Sequence, residues 1–312
     1  MSSVRYLIFP SATNENQYLK RIKECLNNEG NVALPFSLGE WFARDRNYTK
    51  NVLVLNWIEN QTRQRGLVGL CLIVGFCVFS KVLGYDMVWV VHNKKSHNLK
   101  SRWSGFLNSV AISFLSKFVD SKISHGVSFS EKMECRYVPH PVPFVQESKG
   151  LNKSKDYYLI FGRIQRYKRI DIVLNELDFV NVIIAGKVAD DYKKEFYEAC
   201  GQTKADVDVF DRFLPDEELN DLVSNARGVI VANDSQSTII SGSVFHTLAL
   251  GVPVYLEEGA FKEYDSRQLG IVNVFRWNDL HKMEVEFSRE EIKESLLELN
   301  SDIKVMKGFY SD

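Results

Sequence analysis

Residues 157–174 read YYLIFGRIQRYKRIDIVL. The apolar run 157–161 has the length of a buried strand, and the glycine at position 162 permits a sharp turn. Arg163 and Lys168 then place two cations before a helical segment. We predict a strand–turn–helix unit that binds an anion, because helix starts attract anions and these cations bind phosphate. A solvated basic turn is the alternative interpretation.

The same alternation of short apolar runs and amphipathic segments extends along the 312 residues. This spacing is typical of right-handed βαβ units and predicts the α/β class with parallel sheets. Strands are predicted at 6–9, 32–35, 52–56, 87–92, 121–124, 136–138, 157–161, 180–185, 207–210, 228–231, 252–256 and 271–274. Helices are predicted at 17–28, 63–83, 103–118, 167–177, 190–200, 215–225, 243–250 and 288–307.

The segment 139–156, PHPVPFVQESKGLNKSKD, interrupts this pattern with three prolines followed by polar residues. It is the best linker candidate. We therefore predict two doubly wound domains, 1–145 and 146–287, and a final amphipathic helix within 288–312 that packs back on the first domain. Ligands of open α/β sheets bind beyond the carboxyl ends of strands, so we expect the domains to face each other across a cleft.

Composition excludes several classes of protein. Thirty-nine basic residues oppose forty acidic ones, and the net charge of −1 argues against nucleic-acid binding. The five cysteines form no CxxC pair, which argues against a disulfide framework or a zinc site and favours a reducing compartment. The amino terminus lacks the basic and apolar regions of a signal peptide. We expect a cytoplasmic protein.

One segment raises the question of a membrane. Residues 67–79, LVGLCLIVGFCVF, carry no charge, but a span needs roughly 20 apolar residues, so a transmembrane helix is not expected. Two interpretations stay open: a buried helix of an α/β layer, or a helix partly embedded in the face of a bilayer. Arg63, Arg65 and Lys81 flank the run, where they would meet anionic headgroups.

A second polar segment follows a predicted strand. Residues 234–253 read DSQSTIISGSVFHTLALGVP, and Ser241, Gly242 and Ser243 stand where a helix begins. Hydroxyls and unpaired N–H groups at a helix start bind phosphate without a charged side chain. An ordinary serine N-cap on a buried helix is the alternative interpretation.

The ordered motifs GRIxxYKRID, FLPDEEL and SGSx₅ALGVPV resemble the carboxyl-terminal half of bacterial GT-B glycosyltransferases of the GT4-like group. The first half agrees. NWIE at 56–59 resembles the His-Trp-Pro-Glu-like element of that family, VWVVHNKKSH at 88–97 resembles its Trp-Thr-Val-His-Asn strand end, NQY at 16–18 resembles its early Asn-Pro-Tyr, and YVPHP at 137–141 resembles its element before the linker. The resemblance covers roughly residues 4 to 275 and implies two Rossmann-like domains.

The resemblance also implies roles for individual residues. The second half would bind a nucleotide-sugar donor, and the acceptor would lie on the side of the first half. The implied donor-binding residues are Gly162, Arg163, Lys168, Ser241, Gly242, Ser243 and Glu263, and the implied acceptor-side residues are Asn56, Trp57 and His97.

The sequence departs from many retaining members of the family. Those members carry two glutamates spaced Ex₇E, whereas the corresponding positions here are near Thr238 and His246. The Ser-Gly-Ser element instead resembles the subgroup that includes inverting β-mannosyl- and β-glucosyltransferases, which favours inversion. Inversion needs a general base for the acceptor hydroxyl, and His92, Glu59 and His97 are the candidates. Glu59 has the alternative role of holding an acceptor hydroxyl.

The resemblance implies a hexosyltransferase that acts on a glycan acceptor, polyprenyl-linked or otherwise lipid-linked, in bacterial O-antigen, capsule or exopolysaccharide synthesis, peripheral to the inner membrane. No DxD-like signature stands in a convincing context, and cations with helix N–H groups stabilise a diphosphate leaving group, so we expect neither metal nor cofactor. A nucleotide-sugar epimerase of the same architecture and a non-catalytic binding partner are the alternatives.

Overall fold

A computed structural model describes residues 3–11, 16–28, 30–43, 45, 47–93, 102–146, 156–234, 239–264, 272–276 and 287–309. The chain divides into two compact units. The first unit comprises Met1–Pro141 together with Ser301–Asp312, and the second comprises Val142–Asn300.

The first unit is built on a parallel sheet of six strands in the order β2-β1-β3-β4-β5-β6. The strands are β1 Val4–Phe9, β2 Val32–Pro35, β3 Lys50–Asn56, β4 Asp86–Val91, β5 Ser121–Ser124 and β6 Arg136–Tyr137. The helices, numbered along the whole chain, are α1 Gln17–Leu26, α2 Leu38–Ala43, α3 Asn60–Val82, α4 Arg102–Phe118, α5 Val127–Met133 and α12 Asp302–Phe309.

Side chains of successive strand residues point to opposite faces of this sheet. Val54, Val88 and Val90 are buried on the face covered by α1 and α12. Trp89 lies between the two β4 valines and is also buried, so it belongs to the opposite face. Both faces are covered, as expected for a parallel sheet, and a side chain on one face is separated from the other face by the sheet itself.

Helix α3 differs from its predicted bounds and surroundings. It begins at Asn60, and Gly66 interrupts it with φ of 57° and ψ of −130°. By length and composition it is the one helix in the described part of the chain that could cross a membrane, yet only 22% of its most apolar window is buried. The interpretation of residues 67–79 as a buried helix of an α/β layer is therefore wrong as to burial: one side packs inward through Ile73 and Cys77, and the other side is exposed.

The second unit also holds a parallel sheet of six strands, in the order β12-β11-β10-β7-β8-β9. The strands are β7 Tyr158–Phe161, β8 Asp178–Ala185, β9 Lys204–Phe210, β10 Gly228–Val231, β11 Val254–Glu257 and β12 Asn273–Phe275. The helices are α6 Ile170–Glu176, α7 Lys193–Gln202, α8 Asp216–Asn225, α9 Gly242–Ala249, α10 Glu258–Phe261 and α11 Arg289–Leu299.

Two predicted helices are divided in the structure. The predicted helix 167–177 consists of a 3-10 turn, Arg166–Lys168, followed by α6, because Arg169 has φ of 53° and breaks the helical path. The predicted helix 288–307 consists of α11 and α12, which are separated at Asn300 and belong to different units. Amphipathic periodicity ran through both breaks, so the pattern of apolar residues did not reveal them.

Candidate functional site

The strand order of the second sheet reverses between β7 and β10, and a crevice opens at such a point beyond the carboxyl ends of the strands. Gly162 directly follows β7, with φ of 95°. A Cβ built on Gly162 would lie 3.6 Å from Lys168 Nζ and 3.7 Å from Ser243 Oγ. Three predicted site residues from distant parts of the chain therefore meet here, and we call this place the Lys168 site.

Lys168 is buried, with 7% of its surface exposed, and its Nζ donates a hydrogen bond of 2.9 Å to the carbonyl of Phe161. Burial lowers its pKa to about 8. No carboxylate in the described part of the chain forms an ion pair with it. A buried ammonium without a carboxylate is costly, so the site favours an anionic ligand. The interpretation of this turn as solvated is wrong for Lys168.

The start of α9 forms the opposite wall of the Lys168 site. Ser241 stands at the N-cap, but its side chain makes no capping hydrogen bond, so the ordinary serine cap is not what the structure shows. Instead its backbone N–H donates to the hydroxyl of Tyr264 over 3.1 Å. The first N–H groups of the helix, from Gly242 and Ser243, have no partner within an α-helix and are available to phosphate oxygens.

Two more of the predicted donor-binding residues, Arg163 and Glu263, lie next to residues of this site. Arg163 follows Gly162 and is exposed, in contrast to Lys168. Glu263 is buried next to Tyr264, whose hydroxyl contacts the α9 start. Lys168 was predicted at the start of a helix, but α6 begins two residues later, and the helix start beside Lys168 belongs to α9.

Gly186 explains why the turn after β7 is so closely packed. A Cβ on this residue, which has φ of 146°, would lie 1.9 Å from the carbonyl oxygen of Gly162. Only glycine fits, because both the space and the backbone conformation exclude a side chain. The ends of β7 and β8 are thus pressed together, which holds Gly162 in place.

His246 occupies a position where the sequence comparison with retaining members expected a glutamate. Its Nε2 lies 2.9 Å from Asn220 Oδ1, and burial lowers its pKa to about 4. The ring is therefore neutral near pH 7 and carries no carboxylate-like charge. Thr238, at the other such position, lies outside the described residues.

A second polar centre lies at the carboxyl ends of β1 and β3, where the strand order of the first sheet reverses. Asn56 ends β3, and its Nδ2 donates to the carbonyl of Phe9 over 3.0 Å. Because the amide nitrogen of Asn56 is the donor in this bond, its Oδ1 must accept the second one. His92 Nε2 therefore donates to Asn56 Oδ1 over 3.0 Å. The Trp57 ring stacks on the His92 ring, with 4.2 Å between the ring centres. The backbone of Trp57 is left-handed, with φ of 51°, a conformation that costs about 1–3 kcal/mol for a residue other than glycine.

Two further histidines, neither of them a predicted site residue, join this centre. His125 follows β5, and its Nε2 accepts a hydrogen bond of 2.8 Å from the hydroxyl of Tyr18. Its Nδ1 donates to the carbonyl of Val138. His140 follows β6, and its ring centre lies 5.2 Å from that of His125. Their positions just after predicted strands were the sequence signal that could have identified them as candidate site residues. We call Tyr18, Trp57, His92, His125 and His140 the histidine cluster.

All three histidines are neutral near pH 7. Burial is the main cause that lowers the pKa of His92 and of His140 well below the usual value, and it lowers the pKa of His125 to about 4. The neighbouring rings add to this for His92, because charging one ring disfavours charging the next. Among the described residues, no group of three or more His, Cys, Asp or Glu side chains has metal-binding geometry.

Glu59 lies away from the histidine cluster. Its Oε2 accepts a hydrogen bond of 3.3 Å from Trp89 Nε1, and Trp89 belongs to the opposite face of the sheet from Val88 and Val90. Burial raises the pKa of Glu59 to about 7. The two candidate bases therefore occupy different places. Glu59 borders a cavity of about 50 Å³. His97 lies outside the described residues.

No protein-family model and no curated protein matches this sequence. Solved structures match along nearly the whole chain. A UDP-forming α,α-trehalose-phosphate synthase from Burkholderia vietnamiensis has a TM-score of 0.59 at 8% identity, covering 99% of this chain and 98% of that one. Anabaena HepE in complex with UDP-glucose has a TM-score of 0.55 at 11% identity, covering 98% and 94%.

AviGT4, a glycosyltransferase involved in avilamycin A biosynthesis, has a TM-score of 0.55 at 11% identity, covering 98% of this chain and 95% of that one. Two parallel six-stranded α/β units and these similarities together show the GT-B fold, with two Rossmann-like units. The predicted fold class is confirmed. At these low identities the similarities show the fold alone. The reaction that the protein catalyses is therefore inferred from the residues of the site.

Proposed function

We propose that the protein is a glycosyltransferase that moves a hexose from a nucleotide diphosphate sugar to an acceptor hydroxyl. The observation that carries this proposal is the buried Lys168 beside Gly162 and the start of α9, at the point where the strand order reverses. A diphosphate supplies the negative charge that this site lacks. The structure of HepE with UDP-glucose supports this choice of donor class.

The donor-side residues match the needs of a leaving diphosphate. As the bond between the anomeric carbon and the diphosphate oxygen breaks, the electron pair passes to that oxygen. Lys168, the N–H groups of Gly242 and Ser243, and the exposed Arg163 stabilise the charge that develops. Gly162 lets the phosphates approach the backbone. Because these groups already compensate the negative charge of the diphosphate, we propose that the transfer is independent of a metal ion or cofactor.

We propose His92 as the general base and inversion as the stereochemical course. Since Nε2–H donates to Asn56, the lone pair of the ring is on Nδ1. Nδ1 takes the proton of the acceptor hydroxyl while its oxygen attacks the anomeric carbon opposite the diphosphate. Asn56, which is buried, orients the ring through its hydrogen bond, and Trp57, which stacks on the ring, borders the acceptor. Glu59, as an alternative base or acceptor ligand, and His97 remain hypotheses.

For the acceptor we propose a lipid-linked, for example polyprenyl-linked, glycan in bacterial surface polysaccharide synthesis. The protein would then work in the cytoplasm, peripheral to the inner membrane. The motif resemblance of both halves and the exposed apolar surface of α3 support this placement.

Thermal unfolding with UDP, GDP, CDP and dTDP tests the donor site. A nucleotide that binds only the folded protein adds about 2.7 kcal/mol at 100 times its Kd, so one of the four should raise the melting temperature. Lys168→Ala should abolish the shift, whereas Lys194→Ala, at an exposed position of the same unit, should retain it. If no nucleotide stabilises the protein, the proposal fails.

A transfer assay then follows with the stabilising nucleotide's hexose donors and lipid-linked glycan acceptors. NMR of the product reads the anomeric configuration, and an inverted centre is expected. Interconversion of the donor sugar without transfer would assign an epimerase instead, and nucleotide binding without turnover would assign a non-catalytic partner.

A further inference from the structure

Helices α2, α3 and α4 of the first unit expose large apolar side chains. On α3, Leu67 is 57% exposed and Val82 is 75% exposed, and on α4, Trp103 is 62% exposed. Phe42 of α2 joins α3 through an edge contact with Phe79, at 5.8 Å between ring centres. We call this surface the α2–α4 face; its exposed apolar members are Leu38, Phe42, Leu67, Val68, Leu72, Val78, Phe79, Val82, Trp103 and Phe106.

The charges on α3 and α4 have one sign. Neither helix contains an Asp or a Glu, and their described basic side chains are Arg63, Arg65, Lys81 and Lys117. Asp120, just after α4, forms an ion pair with Lys81. A soluble surface normally interleaves both signs and keeps apolar residues scattered. Apolar side chains combined with basic ones match the acyl boundary and the anionic headgroups of a bilayer.

The packing of α3 shows that it lies along the unit. Its inner side buries Ile73, Cys77 and Ser80. Trp41 of α2 donates to Ser80 Oγ over 3.1 Å. A helix that crossed a bilayer alone would have to leave these contacts. The outward side alone is therefore available to lipid, which is the arrangement of an interfacial helix.

We propose that the α2–α4 face docks the first unit on an anionic bilayer, with α3 lying in the plane of the interface. Helices α3 and α4 each follow a strand of the parallel sheet, so their amino-terminal ends lie on the side of its carboxyl edge. That edge carries the histidine cluster. Docking would hold the histidine cluster near the headgroups, where the sugar of a lipid-linked acceptor lies. Only this link to the acceptor rests on the proposed function.

Vesicle flotation of the full chain tests the docking without any donor. We expect binding to vesicles of phosphatidylcholine with phosphatidylglycerol, weaker binding to phosphatidylcholine alone, and weakening by salt. Val68→Asp and Leu72→Asp should each weaken binding at least about tenfold, because they place a charge in the acyl boundary. Phe213→Asp, at a residue of the second unit that is 72% exposed, should leave binding unchanged.

The basic residues are tested separately. Arg65→Glu and Lys117→Glu should reduce the preference for phosphatidylglycerol, whereas Lys194→Glu, exposed on the second unit, should not. Circular dichroism melting confirms that each variant is folded. Because Lys168→Ala should keep vesicle binding while losing nucleotide binding, failure of the donor site and failure of docking are distinguishable.

Three results would overturn the proposal. One is no binding to the anionic vesicles. Another is equal loss of binding in Leu72→Asp and Phe213→Asp, which would indicate a non-specific effect of charge. The third is a dimer in sedimentation that Leu72→Asp dissociates while vesicle binding persists, which would assign the face to a second copy of the chain.

Discussion

At the scale of single residues, burial separates cations that the sequence presents as equals. Arg166 and Lys168 stand two positions apart in QRYKR. Arg166 is exposed and forms ion pairs with Glu195 and Asp191, whereas Lys168 turns inward to the carbonyl of Phe161. The motif indicated an anion site, but which cation faces the anion depends on the path of the turn and on contacts with α9.

The lowered pKa of Lys168 predicts a pH dependence of nucleotide binding. In the proposed donor site the ammonium form of Lys168 attracts the diphosphate, and this form is lost as the pH rises through about 8. Above pH 7 the nucleotide phosphate no longer titrates, so calorimetry from pH 7 to pH 9.5 should show affinity falling by up to about tenfold per unit beyond the pKa.

Two variants control this measurement. Lys168→Met should bind weakly with a flat pH profile, and Arg163→Met should retain the pH dependence because Lys168 is still present. A flat profile for the unaltered protein would show that Lys168 does not contact the anion.

Asn56 predicts a second pH effect, on turnover. Replacing its amide by a carboxylate in Asn56→Asp stabilises the protonated ring of His92 and raises its pKa. A base must be neutral to accept a proton, so the acidic limb of the kcat/KM profile should move to higher pH. His246→Gln, in the other unit, should leave the limb in place. An unchanged limb in Asn56→Asp would remove His92 as the base.

At the scale of elements, the glycines of α3 have opposite roles. A Cβ at Gly69 would lie 2.1 Å from the carbonyl oxygen of Gln61, whereas one at Gly75 would meet nothing within 4 Å. Gly69→Ala should therefore lower the free energy of unfolding by about 3 kcal/mol. Gly75→Ala should raise it by up to about 1 kcal/mol, because alanine is the better helix former.

Chemical denaturation of both α3 variants measures this difference. Similar stability of the two would mean that the close approach of Gln61 to Gly69 does not exist. The pair also bears on prediction from sequence: both glycines sit in the same apolar run, and no local pattern tells which of them another part of the chain touches.

Most strands and the long amphipathic helices were predictable, and the short helices were not. Strands β1 to β5 and helix α1 lie close to their predicted positions, because buried parallel strands are apolar runs and α1 alternates apolar and polar faces. Helices α2, α5 and α10 were missed, since they are too short to display a helical period. The break at Asn300 was missed because apolar positions continue on both sides of it.

At the scale of the molecule, the end of the chain returns to the unit in which the chain began. After Asn300 the chain enters α12, where Asp302 pairs with buried Arg21 at 2.6 Å. Val305 and Phe309 complete the core between α1 and the first sheet. The first unit is therefore assembled from both ends of the sequence.

This arrangement predicts the effect of two substitutions on α12. Val305 is fully buried, so Val305→Ser should lower the free energy of unfolding by about 3 kcal/mol. Ile303 is half exposed, and Ile303→Ser should change the free energy of unfolding by less than about 0.5 kcal/mol. Urea unfolding followed by tryptophan fluorescence checks both. Equal, small effects would mean that α12 does not pack on the first unit.

The amino-acid sequence alone determined the α/β class, the strand and turn at Gly162 and the segments that hold the proposed donor-binding residues. These features rest on local composition and on periods of two and 3.6 residues, which a short window displays. Tertiary structure alone decided that Lys168 and Ser243 both lie beside Gly162, that His125 and His140 join His92, and that Glu59 faces the other side of the sheet. Such meetings depend on strand order and burial, which arise from contacts between residues far apart in the chain.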